Sequence, residues 1–350
     1  MKKNKYEIDM CNGSIMDKLI SFSLPLMLSG ILQLMFNAVD IVVVGRFSGS
    51  EALAAVGSTT ALISMFTNLF IGVSLGTSVL TARFYAAGRD REVSETVHTS
   101  ITLALLSGIL MIFVGLFFSR GALELMDTPD DVIDLSTLYM KIYFMGMPFL
   151  CSITMEQRCS GQSGDTKRPL LFLIISGILN AGLNLFLVVV FHMGVAGVGI
   201  ATVISQMLSC VLVLICLYQA ESSYQLRFSR LMLKWTYLKQ IFQVGVPAGI
   251  QSTVINFSNV LLQSSVNSFG SIAMAGYTAA NNILGFLYAS VNSVTQACMS
   301  FTSQNYGVGK WKRMDRGASG LYDSDDRNRS GAGRRFLSVR TGDPENLYGQ

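Results

Sequence analysis

Charge is what this sequence has least of. Only 14% of its 350 residues are Asp, Glu, Lys or Arg, while 51% are hydrophobic. A soluble domain carries roughly a quarter charged residues, so this composition excludes an ordinary water-soluble core and points to a membrane protein. Histidine is scarcer still, with His98 and His192 far apart in the chain. The six cysteines (Cys11, Cys151, Cys159, Cys210, Cys216 and Cys298) form no CxxC pair and mostly lie in apolar runs, where cysteine acts as a small hydrophobe. Neither residue type shows metal-ligand spacing, so no metal centre is expected. Ser-His-Asp, Cys-His, paired-carboxylate and ATP-binding arrangements are also missing, so the chain is not expected to be an enzyme, and any transport would draw on an ion gradient. No cofactor and no nucleic-acid partner is expected. The opening MKKNKYEIDMCNGSIMDK lacks the short apolar core and cleavage site of a signal peptide.

What is present is a series of long apolar runs. Eight reach the length of about 20 residues that a bilayer requires: Leu19–Val44, Ala52–Ala82, Thr96–Phe118, Leu135–Met155, Leu170–Phe191, Val195–Tyr218, Leu238–Val266 and Ile272–Tyr306. Basic residues alternate with them. Lys2, Lys3, Lys5 and Lys18 precede the first span, and Arg83, Arg89 and Arg91 follow the second. Arg158, Lys167 and Arg168 follow the fourth, Arg227, Arg230, Lys234 and Lys239 the sixth, and Lys310, Lys312, Arg313 and Arg316 the eighth. The opposite loops hold little beyond Arg46 and Arg120, and one is acidic, with Asp127, Asp130, Asp131 and Asp134. The positive-inside rule then places the N-terminus in the cytoplasm.

The chain also repeats itself. DKLISFSLPLMLSG at 17–30 resembles LKQIFQVGVPAGIQ at 238–251, with Pro25 and Pro247 coinciding at an offset of 222. FSGSEALAAVG at 47–57 resembles FGSIAMAGYTA at 269–279, and RFYAAGRDREV at 83–93 resembles QNYGVGKWKRM at 304–314. Landmarks in the same order indicate duplication of a six-span unit, and an even number of spans makes the two copies parallel, as in transporters. The expected organisation is a cytoplasmic N-terminus (1–18), a first lobe (19–219), a cytoplasmic linker (220–237) and a partial second lobe (238–316). Residues 317–350 turn abruptly polar and aperiodic and read as a disordered tail, a reading-frame change or an appended sequence.

Few residues could carry chemistry. Asp40 stands out as the one acidic residue well inside an apolar run. A buried ionised carboxylate is costly, so such residues usually face a bundle interior or an aqueous cavity and bind a proton or cation. The competing reading is a helix-end aspartate near the outer interface, with Arg46 close behind. Asn180 and Asn184, at i and i+4, share a helix face that Gly177 continues. Their amides could ligate a cation, tune Asp40, or simply join helices. In GVAGVGIATVISQ at 194–206, Gly197 and Ala201 have the spacing of close helix packing, and Thr202 shares a face with Gln206. SGDTKRP at 163–169 reads as a turn and helix cap. The 18 methionines suit an adaptable apolar surface.

Together, FNAVDIVVVGRFSGSEALAAVG, SGDTKRP and GVAGVGIATVISQ resemble the multidrug and toxic compound extrusion (MATE) transporters, in their DinF-like branch, over roughly residues 15–316. The resemblance implies an all-α helix bundle, with one complete six-span lobe and the first two spans of a second, parallel-repeat lobe. It implies a monomeric secondary antiporter that exports cationic or amphipathic compounds in exchange for Na+ or H+. Asp40 matches the coupling aspartate of the first span, and Asn180, Asn184 and Thr202 match polar positions around the same site, with Na+ as the one metal ion to be considered there. Pro25 and Pro247 are the expected hinges. Many relatives have Asp at the position of Asn184, and another branch has a glutamate where this chain has Ile255. The alternatives are a lipid-linked-precursor flippase of the same superfamily, or a truncated transporter without function. The flippase would need basic cavity groups, and no buried Lys or Arg is expected in the first-lobe spans.

Overall fold

The computed structural model describes residues 8–317, apart from 127, 163–164, 221–223 and 268–270. The tail from 318, Asp127, and Ser163 and Gly164 of the SGDTKRP turn therefore lie outside the described residues. Within them the secondary structure is helical, with nine long α-helices followed by a short helical stretch over 311–317. The nine are α1 (Ile15–Phe47), α2 (Gly49–Ala86), α3 (Asp90–Glu124), α4 (Asp130–Met145), α5 (Met147–Gln162), α6 (Lys167–Leu185), α7 (Gly194–Tyr218), α8 (Trp235–Asn267) and α9 (Ser271–Gly307). Among the described residues five helices are long and apolar enough to cross a membrane, and a sixth span forms if the bent pair α4–α5 counts as one. Those six are the first six expected from sequence. α8 and α9 fall short of that apolar measure but match α1 and α2 in length.

The departures from simple spans have local causes. The fourth span is broken by a 48° bend between α4 and α5. Pro148 sits at the start of α5 and has no N–H to donate to the preceding turn. The fifth span, expected to run to Phe191, leaves α-geometry after Leu185 and continues as a π-helical turn over Phe186–Val190.

The repeat seen in the sequence is present in the geometry. α1 and α8 each have 33 residues, while α2 and α9 have 38 and 37. Gly88 follows α2 with φ +69°, and Gly309 follows α9 with φ +70°. Both copies thus leave their second helix through the same left-handed turn, which glycine adopts without steric cost. Packing follows the same symmetry. α8 lies along α2, and α9 lies along α1, which is the same contact with the two copies exchanged.

The α2–α8 crossing brings two backbones into direct contact. Gly72 and Gly76 of α2 and Gly245 and Gly249 of α8, each pair spaced at i, i+4, lie in it, Gly72 against Gly249 and Gly245 against the backbone of Val73. A Cβ added at Gly72 would lie 2.1 Å from the Cα of Gly249, and one at Gly76 would lie 2.1 Å from the carbonyl oxygen of Ile241. Backbone packs on backbone there, the arrangement that small residues permit between membrane helices.

The first six spans enclose two apolar clusters. One gathers Val44, Ala55, Phe144 and Val198 from α1, α2, α4 and α7, and the other gathers Val97, Ile101, Met155 and Leu217 from α3, α5 and α7. The second cluster also takes in Leu226 from the segment between α7 and α8. That segment is fastened to α3. The Arg227 N–H donates to His98 Nε2 (3.0 Å), the Lys234 N–H donates to Thr99 Oγ1 (3.4 Å), and Lys234 Nζ pairs with Glu95 at 2.6 Å.

The structure adds to two sequence readings. Besides Asp40, the bundle holds a second acid, because α5 continues past the expected end of the fourth span and buries Glu156 completely. The first spans also carry cations. Lys141 of α4 and Arg158 of α5 are both partly buried, and Arg158 is helical rather than in a loop. Its guanidinium donates to Gln296 of α9 at 2.7 Å.

Because the contact at Gly72 is to backbone, no neighbouring side chain can move aside to make room. Gly72→Val should cost roughly 1–3 kcal/mol, the range for overpacking, and should lower the thermal midpoint in detergent. Gly57→Val is the control, since a Cβ at Gly57 meets nothing within 4 Å.

Candidate functional site

Asp40 lies in the last third of α1, half-buried. Its height is set by a packing contact one turn earlier. The ring of Phe36 lies over Gly177 of α6, where an added Cβ would come within 1.9 Å of Phe36 Cε2. Glycine at 177 therefore lets α1 and α6 run side by side in the same direction. Asp40, one turn beyond Phe36, then reaches the helix face that carries Asn180 and Asn184.

The result is a short polar chain between two helices. Asn184 Nδ2 donates to Asp40 Oδ1 and also, at 3.3 Å, to Asn180 Oδ1. Asn184 is fully buried and Asn180 nearly so. With both amide hydrogens committed, Asn184 Oδ1 faces the interior with no hydrogen-bond partner among the described residues. A buried amide oxygen without a donor costs free energy, so this atom marks a place for something positively polarised.

The structure thus joins three of the four residues singled out from sequence. Asp40 is a member of the cluster rather than an isolated helix-end acid, and the Asn180–Asn184 pair is aimed at it. Thr202 stands apart. Its hydroxyl donates to Val198 O in its own helix at 3.0 Å, and no described hydrogen bond ties it to Asp40. Pro25 and Pro247 lie inside the continuous helices α1 and α8. The Pro25 carbonyl accepts from Ser29 Oγ at 2.9 Å. Ile255 is exposed on α8.

Sequence reasoning missed an aromatic pair near the site. Tyr139 and Tyr143 of α4, their ring centroids 6.2 Å apart, both interact electrostatically with Asp40. Tyr139 and Tyr143 are spaced i, i+4 on a helix whose other members are mostly apolar, which is the signal that could have found them.

The cluster can do two things chemically. A lone carboxylate can take up one proton. Alternatively, the oxygens of Asp40, Asn180 and Asn184 form a donor set of hard ligands suited to a small cation. Either charge would neutralise Asp40 where no described cationic side chain bonds it.

Known proteins match this chain along most of its length. The MatE family model matches residues 25–186 and 247–319, two blocks that correspond to the two copies of the repeat. The probable multidrug resistance protein YoeA of Bacillus subtilis is 29% identical over 302 residues, covering 84% of this chain and 65% of that protein. The probable multidrug resistance protein NorM of Thermotoga maritima is 26% identical over 310 residues, covering 84% of this chain and 64% of that protein. The chain thus spans just under two thirds of the length of these relatives. Among solved structures, a MOP superfamily transporter from Pyrococcus furiosus superposes with a TM-score of 0.83 at 22% identity, covering 91% of this chain and 70% of that one. A multidrug resistance MATE family transporter in an outward-facing conformation does so with the same TM-score at 21% identity, with coverage of 91% and 70%. These likenesses establish the fold.

Removing the Asn184 amide leaves the Asp40 carboxylate without its described donor. Asn184→Ala should destabilise the protein by about 2 kcal/mol, as expected for a hydrogen bond to a charged group. In the Asp40→Asn background the same change should cost less, and the difference in thermal midpoints around that double-mutant cycle measures the pair.

Proposed function

The chain belongs to the MatE family, and from that premise we propose that it acts as a secondary antiporter, exporting cationic or amphipathic compounds in exchange for Na+ or H+ with Asp40 as the coupling carboxylate. The observation that carries this reading is the buried Asn184 Oδ1, without a partner among the described residues and bonded through its own amide to Asp40. An acid and an orphaned oxygen side by side are what a cation or proton carried as cargo would satisfy. With Asn at 184, Asp40 is the single carboxylate in the cluster, so one unit of positive charge neutralises it. On loading, Asp40 loses its negative charge and its pull on the Asn184 amide weakens. The contact between α1 and α6 changes with it, and α1 can respond at Pro25, where the helix lacks one backbone hydrogen bond.

The same reading assigns the broad division of the chain. α1–α7 form the first lobe, α8 and α9 begin the second, and the segment fastened to α3 links them. Asp40, Asn180 and Asn184 all come from one chain and one lobe, which supports function as a monomer. The basic residues at the ends of α2 and α9 and at the start of α3 support placing this face in the cytoplasm of a bacterial cell, with the chain in the inner membrane. The relatives' names as multidrug resistance proteins support the class of substrate.

Dye efflux from drug-sensitive cells, under imposed sodium or proton gradients, tests coupling. Efflux should follow one of the two gradients, and Asp40→Asn should abolish that dependence. Coupled efflux that survives unchanged in the variant would remove Asp40 from the mechanism. The orientation has a separate test. A cysteine at Glu124 should react with a membrane-impermeant maleimide in intact spheroplasts, and one at Arg230 only after the membrane is opened. The reverse pattern would invert the topology.

A further inference from the structure

The face of the bundle that carries the start of the chain holds a built contact that the ion site does not use. Residues 8–13 precede α1 and cross between its end and that of α9. Met10 is completely buried, seated with Leu19 and Phe22 of α1 and Ala297 and Phe301 of α9. Its backbone is gripped as well. The Met10 N–H donates to Gln304 Oε1 at 3.2 Å, and the Met10 carbonyl accepts from Asn305 Nδ2 at 3.2 Å and from Arg313 Nε at 3.4 Å. Lys310 Nζ donates at 2.9 Å both to the Cys11 carbonyl and to Asn12 Oδ1. Asp9 folds the segment into shape, accepting from the Cys11 N–H and from Asn12 Nδ2, both at 2.9 Å. The left-handed turn at Gly309 brings Lys310 and Arg313 back over the segment.

The four gripping side chains belong to α9 or to the turn and short helix that follow it, while the apolar seat is shared with α1. The segment therefore makes its full set of contacts only while the ends of α1 and α9 are together. A buried backbone must have its polar groups paired, so parting the two helices would leave the Met10 amide and carbonyl to find new partners. The glycine crossing of α2 and α8 lies toward this same face, since Gly72 and Gly76 fall in the second half of α2 and Gly245 and Gly249 in the first half of α8.

We propose that residues 8–13 form a latch across this face, holding α1 to α9, and that its release accompanies opening of the face. The proposal rests on the antiporter reading, in which the two lobes part on alternate sides. A group that makes contacts in one of two states and not in the other biases the equilibrium toward the first.

The test uses the full chain with its six cysteines replaced by alanine and one reporter, Ser293→Cys. Ser293 is buried on α9 one turn beyond the Met10 seat and touches none of the gripping residues. Reaction with a membrane-impermeant maleimide is followed in inside-out vesicles. The double variant Lys310→Gln with Arg313→Gln removes polar anchors and leaves the apolar seat in place. It should speed labelling roughly fivefold or more, because the closed population falls. Met10→Asp should do the same if it folds. An unchanged rate in the Lys310→Gln, Arg313→Gln chain overturns the latch, whatever Met10→Asp does. Labelling needs neither substrate nor gradient, so failure of the antiporter reading, seen as efflux indifferent to both gradients, is distinguishable from failure of the latch.

Discussion

Two membrane helices can touch along their backbones only where glycines clear the way, and the rest of this architecture hangs on one such place. At the α2–α8 crossing four glycines let each backbone reach the other, Gly72 against Gly249, Gly76 against Ile241 and Gly245 against Val73. Lipid supplies no hydrophobic drive to bring helices together, so close van der Waals packing has to do so. Once α8 is held against α2, the duplication places α9 along α1 by the same operation. The repeat units then meet on the face that carries the start of the chain. The latch from residues 8–13, the Arg158–Gln296 bond and the glycine crossing all act on that meeting.

The Asp40 cluster is held by a different contact. It sits between α1 and α6, away from the α2–α8 crossing, and again a glycine sets the geometry. Gly177 admits the Phe36 ring and so fixes which turn of α6 faces Asp40. The polar groups are few and nearly all committed, which makes the remaining Asn184 oxygen informative. In a bundle with so little polar surface, a single unfilled acceptor beside a carboxylate is a stronger sign of a bound charge than a larger polar cluster would be in water.

The symmetry of the fold and the asymmetry of its chemistry have a common origin. Duplication gave two units of matching helix length and matching turns at Gly88 and Gly309. It constrains backbone and packing, but side chains diverge freely wherever packing does not hold them. Asp40 has no acidic counterpart on α8, whose residues include no Asp or Glu.

The sequence by itself determined the membrane class, the first six spans, the parallel repeat and the candidates Asp40, Asn180 and Asn184. These are properties of local composition and spacing: a run long enough to cross a bilayer, a proline at a fixed offset, two amides one turn apart. Only the tertiary structure decided that Asn184, 144 residues from Asp40, turns its amide onto that carboxylate, while Thr202 turns its hydroxyl into its own helix. It also brought Tyr139 and Tyr143 to the site, enclosed Glu156, and closed Met10 into a socket made almost 300 residues later. Each of these depends on the rotation and height of one helix against another. That register is set by the shapes packed between helices, by Gly177 under Phe36 and Gly72 against Gly249, and no periodicity along a single helix encodes it.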